Sequence, residues 1–199
     1  MENTTSVHEF WFGTDADDTA VIKQQSSLWW SKDPETDEAI RRRFESTVNA
    51  AAQYGLNAWA ETPSGLLALI LLTDQFPRSI YRDTPKAFVF DAVARAWCLD
   101  GLARKVDQSL RPIERVFFYL PLEHAESLDQ QEQSVRLFQD LLQEVPSEQR
   151  SLFEAYRDYA VRHRDVIARF DRFPHRNAIF GHLSTPQELE FLAQPGASF

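Results

Sequence analysis

Three segments of this chain gather side chains able to bind ions and move protons. In Thr73-Asp74-Gln75-Phe76-Pro77-Arg78, the carboxylate of Asp74 closes the very apolar run Leu66–Leu72. A carboxylate leaving a buried element needs partners. Arg78 is four residues on, but Pro77 is expected to break the helix between them, so their pairing is not assured. Arg82 follows one turn later. Together Asp74, Gln75, Arg78 and Arg82 read either as an ion pair locking a turn or as one polar wall of a cleft.

The second segment is Glu123-His124-Ala125-Glu126. Glu123 and Glu126 are three apart and are expected on one helical face near an N-terminus, which favours negative charge. His124 titrates near neutrality, and a neighbouring carboxylate can move its pKa, so a general acid–base pair is one reading. The other is helix-capping acids with one partly buried imidazole.

The third segment, residues 162–176, holds five arginines and two aspartates, a local +3 in a chain of net charge −9. Arg169, Arg172 and Arg176 alternate with phenylalanines, beside His175 and Asn177. Guanidinium groups fixed by packing suit bidentate contact with carboxylate or phosphate. Asp165 and Arg169 are spaced to pair along a helix, and the arginines could instead neutralise Asp74, Glu123 and Glu126 inside the fold.

Several chemistries lack their residues. HExxH is absent, and the single cysteine, Cys98, allows neither an internal disulfide nor a multi-thiolate metal site. With no adjacent His or basic group it reads as a buried thiol. There is no GxGxxG, GxxxxGK[ST] or GxSxG. No metal ligands are assigned, and the cofactor is left unknown. The acidic total argues against nucleic acid and against an anionic membrane surface.

These segments need helices to place them. Leu (20) and Ala (21) dominate the 199 residues, and no stretch alternates apolar and polar for long. Asp33-Pro34, Thr62-Pro63, Thr84-Pro85 and Thr185-Pro186 place proline after an N-cap type, and Thr185…Glu188 fits a capping box. The spacing predicts helices near 34–54, 63–76, 85–105, 112–119, 122–144, 147–171 and 186–194. Ile40, Phe44, Val48 and Ala51 share one stripe, and Leu137, Leu141 and Val145 another. Phe10-Trp11-Phe12 and Trp29-Trp30 are read as packing anchors. The expected fold is all-α, a single domain over 1–199 with about seven helices. The N-terminus shows no secretory pattern and Gly65–Leu72 is far short of the ~20 apolar residues of a membrane span, so a cytoplasmic protein is expected.

FWFG (10–13), LALILLTDQFPRSIYRDTPKAF (67–88), ERVFFYLPLEHAESLDQQ (114–131) and RFDRFPHRNAIFGHLST (169–185) run in one order across nearly the whole chain. As a set they resemble a mostly bacterial family, the domain of unknown function nine-two-four. The resemblance implies a tetratricopeptide-like helical array and carries no established activity or cofactor. It also marks two departures: Asp171 where the family has Gly, and His182 where it has Arg.

Two functions follow as expectations. One is a cleft for a small phosphate- or carboxylate-bearing ligand. Gln75, Arg78, Arg82, Arg169, Arg172, Arg176 and Asn177 would contact the ligand, His124 and His175 carry protons, and Asp74, Glu123 and Glu126 orient them. The alternative is a non-catalytic module holding a partner peptide in an interhelical groove. Both need distant segments to converge. The oligomeric state stays open.

Overall fold

In the computed structural model, which describes residues 2–197, ten α-helices are present. They are α1 Thr4–Phe12, α2 Asp18–Trp30, α3 Pro34–Ala52, α4 Pro63–Ile80, α5 Asp91–Ala103, α6 Pro112–Glu123, α7 Leu128–Glu144, α8 Arg150–Phe170, α9 Asn177–Phe180 and α10 Pro186–Leu192. No strand occurs among the described residues. The all-α expectation holds, but seven helices were too few. The two N-terminal helices start without proline: Asn3 caps α1 through a capping box with Ser6, and Asp17 caps α2 by accepting from the Thr19 and Ala20 N–H groups.

Asp33 and Thr62 cap α3 and α4, and Thr185 with Glu188 closes the capping box of α10. Thr84-Pro85 instead opens a 3-10 turn, Pro85–Phe88, and α5 starts only at Asp91. The stripe Ile40, Phe44, Val48, Ala51 is fully buried.

The two interior prolines matter most for the site. Neither breaks its helix. α4 passes through Pro77 to Ile80, and α6 passes through Pro121 to Glu123. Both prolines are buried by neighbouring helices, whose packing offsets the lost backbone hydrogen bond. Two expectations fall as a result. Arg78 stays one turn beyond Asp74 on the same helix. Glu123 and Glu126 do not share an N-terminal turn: Glu123 ends α6, while Glu126 lies in the loop before α7.

α4 and α6 are the inner helices. α4 is buried continuously from Gly65 to Pro77 and packs against α1, α3, α5 and α6. α6 is buried from Arg115 to Glu123 and packs on α4, α5, α7 and α8. α7 and α8, joined by a short turn, form the outer pair. Gly65 permits the close approach of the 57–61 turn to α4: a Cβ there would lie 2.0 Å from the Trp59 carbonyl oxygen. At the end of α8, Asp171 adopts a left-handed φ of 56°, the backbone state that glycine takes most easily.

Candidate functional site

The C-terminal ends of α4 and α6 meet, and the polar residues that close these two apolar helices meet with them. His124, which caps α6, contacts Asp74 Oδ1 through Nδ1 at 2.8 Å. Asp74 is fully buried. Burial opposes its charge, but Arg78, His124 and the Gln75 amide outweigh that and hold the carboxyl well below its usual range. Arg78 Nη1 is 3.5 Å from Asp74 Oδ1 and donates to the Asp74 carbonyl at 2.7 Å, while both its Nη atoms grip Asp91 at 3.0 and 3.2 Å. Burial, then the Arg78 charge, lowers the pKa of His124 despite its carboxylate partner. At neutral pH the pair is therefore an ionised Asp74 and a neutral imidazole. An ionised carboxylate only accepts, so the ring proton sits on Nδ1 and leaves Nε2 with a free lone pair.

A second acid–imidazole pair lies behind the first. Glu123 Oε1 is 3.1 Å from His163 Nδ1 of α8, which also contacts the Tyr159 carbonyl at 2.9 Å. Here no cation compensates the acid. Burial and the Asp74 charge raise Glu123 to about 8, and its place at a helix C-terminus works in the same direction. Burial lowers His163 to about 3. The two pairs thus carry different protonation: Asp74 is charged, Glu123 is neutral.

Both imidazoles line a cavity of about 300 Å³, together with His175, Gln75, Arg78, Arg82 and Arg176. Burial, then Arg176, lowers His175 to about 3. Arg82 reaches the cavity but is held by Asp37 in a bidentate pair at 2.5 and 2.7 Å. Arg176 is different. Its side chain is 9% exposed, its Nε is buried without a hydrogen-bond partner, its Nη2 donates to the His124 carbonyl at 3.2 Å, and its Nη1 is 4.0 Å from Asp91. Phe88 and Phe173 cover it at 4.8 and 4.4 Å. Burial and Arg78 lower its pKa to about 10, so it remains a cation at neutral pH.

The remaining expected site residues lie elsewhere. Glu126 accepts from the Phe173 backbone N–H at 2.8 Å, fixing the chain before Arg176. Arg172 is bonded to Glu188 at 2.6 and 2.8 Å and to the Leu183 carbonyl. Arg169 lies over Phe170 beside a separate hollow near the C-terminus. Asn177 is buried and donates to Ser184 Oγ at 3.0 Å. Asp165 pairs with Arg164. The cavity also includes His163, Lys32 and Phe88, for which sequence reasoning assigned no site role. The aromatic anchors Trp11 and Trp29 are buried as expected, whereas Trp30 is half exposed, and all three form part of its wall.

Among the described residues no group of three His, Cys, Asp or Glu side chains is placed to hold a metal ion, and no helix is long and apolar enough to cross a membrane. Cys98 is fully buried, which raises its thiol pKa.

The sequence model of a bacterial protein family of unknown function, DUF924, matches residues 7–196. The chain belongs to this family. A solved structure of a protein of unknown function from Agrobacterium tumefaciens is 34% identical, with a TM-score of 0.81 over 96% of each chain. No curated protein matches the chain. Membership in DUF924 thus brings a shared fold and no assigned reaction, and the chemistry of the cavity has to be argued from its residues.

Proposed function

We propose that the cavity binds a small anion, a phosphate or carboxylate group, against Arg176, and that His124 acts there as a general base oriented by Asp74. Arg176 carries this reading. The other arginines near the cavity are matched by acids: Arg78 by Asp91 and Asp74, Arg82 by Asp37. Arg176 has one bond to a backbone carbonyl and a 4.0 Å contact to a carboxylate that Arg78 already occupies. A buried cation left with spare donors is costly, and an oxyanion would supply what it lacks.

The Asp74–His124 arrangement suits proton transfer. The carboxylate fixes the tautomer and would stabilise an imidazolium formed when Nε2 takes a proton from water or from the ligand.

The alternative, a peptide-binding module on a tetratricopeptide-like array in the cytoplasm, draws on the short connections that set α6, α7 and α8 side by side. The cavity favours the small ligand, since its volume is at the lower end for ligand pockets and its ionisable groups lie at the α4–α6 junction.

The test is thermal unfolding of the whole chain with and without inorganic phosphate and small carboxylates. One of them is expected to stabilise it, by roughly 2.7 kcal/mol at a hundred times Kd. Arg176→Met is expected to abolish that stabilisation. If no phosphate or carboxylate stabilises the chain, or if Arg176→Met responds like the parent protein, the reading is wrong.

A further inference from the structure

We infer that the site takes an oxyanion carried on a flat apolar group, such as an aromatic ring, in preference to a bare oxyanion. The inference rests on the anion reading above and adds the part of the ligand that Arg176 cannot recognise.

It comes from the wall opposite in character to the guanidinium. Trp11, Trp29, Trp30 and Phe88 line the same cavity as Arg176. Trp11 and Trp29 are buried, at 2% and 7% exposure, and are held by the core. Trp30 is not: it is 51% exposed. Its indole lies nearly parallel to the ring of Phe117, with 12° between planes and 5.7 Å between centroids, and Phe117 is itself fully buried. Trp29 and Tyr156 also approach the indole, at 6.2 and 6.3 Å between centroids, yet half of the residue stays exposed and it lines the cavity. An aromatic platform fixed in this way gains little by further packing within the chain and much by covering with a flat partner.

Charge points the same way. Arg78 and Arg82 are matched by Asp91, Asp74 and Asp37, but Arg176 lines the same cavity with its buried Nε lacking a hydrogen-bond partner, and Lys32 follows Trp30 by two positions. A ligand that is apolar throughout would leave Arg176 unmatched, and a bare oxyanion would leave Trp30 uncovered. An anion on a planar ring satisfies both.

Calorimetric titration of the whole chain with phenyl phosphate, inorganic phosphate, benzoate and acetate tests this. Each ring-bearing probe is compared with its bare counterpart, and the phosphate and carboxylate arms show which oxyanion is accepted. For that oxyanion the ring-bearing probe is expected to bind about tenfold or more tightly. Trp30→Ala is expected to erase the ratio while leaving the Kd of the bare anion in place, and Trp30→Phe, a milder change at a half-exposed position, to retain most of it. Equal affinities for ring-bearing and bare probes overturn the inference and leave the anion reading standing. So does a ratio that survives Trp30→Ala. If none of the four probes binds, the anion reading falls and the inference falls with it.

Discussion

Asp74 and His124, fifty residues apart in the chain, are joined by a 2.8 Å contact between Oδ1 and Nδ1 at the junction of the two inner helices. This contact ties the C-terminal end of α4 to that of α6, and it also sets the tautomer of an imidazole that lines the cavity.

Asp74→Ala should therefore cost stability first. It removes the anion facing both His124 and Arg78, although Arg78 keeps Asp91. Breaking a buried ion pair by deleting one partner costs about 3–5 kcal/mol. Denaturant titration should show a lower midpoint with little change in slope. A loss below about 1 kcal/mol would mean that Asp74 is not the anchor of this junction.

Stability should pass through a maximum near neutral or slightly acidic pH. His163 and His175 are depressed from 6.5 to about 3, and His124 is depressed as well. The unfolded chain takes up these protons first, so their contribution is present above pH 6.5 and lost as pH falls below it. Glu123, raised from 4.5 to about 8, has the opposite sign: the folded chain keeps its proton while the unfolded chain releases it. Its contribution is present below pH 4.5 and lost as pH rises through 8. Thermal unfolding between pH 4.5 and 8.5 should fall on both sides of the maximum. Glu123→Gln should flatten the alkaline side; a parent protein with no alkaline decline contradicts the assignment.

Gly65→Ala probes the seat of α4. An added methyl would lie 2.0 Å from the Trp59 carbonyl oxygen and 2.8 Å from Thr62 Oγ1, the α4 cap. The backbone turn has to move, at about 1–3 kcal/mol for such overpacking. Chemical denaturation of the variant should show that loss, and an unchanged midpoint would show that the turn is not firmly seated.

Asp171→Gly should act the other way. Asp171 is exposed and holds φ at 56° at the end of α8. A left-handed backbone costs an L-residue about 1–2 kcal/mol, which glycine escapes while losing about 0.5–1 kcal/mol to its freer unfolded chain. A gain of up to about 1 kcal/mol in unfolding free energy is expected; a loss would mean that the Asp171 carboxylate makes a contribution that outweighs the strain.

The helices were legible in the sequence because their signals are local. N-cap residues before Pro34, Pro63 and Pro186 act within one turn, and an apolar run such as Leu66–Leu72 has to be buried wherever it goes. Left to local rules, Pro77 and Pro121 end their helices; tertiary burial keeps both intact, and with them the positions of Arg78 and Glu123. The meeting of three segments around one cavity was a possibility the sequence raised and could not decide. Packing sorts the arginines: Arg172 is taken by Glu188, Arg82 by Asp37 and Arg78 by Asp91, which leaves Arg176 with donors to spare. A guanidinium looks the same in every one of those positions along the chain. What distinguishes Arg176 is which acids the packing brings within reach, and that depends on residues 52 and 85 positions away, at His124 and Asp91. For the same reason Trp30 read as a core anchor, since only the packed structure shows that it lies beside the Phe117 ring while half of the residue stays exposed.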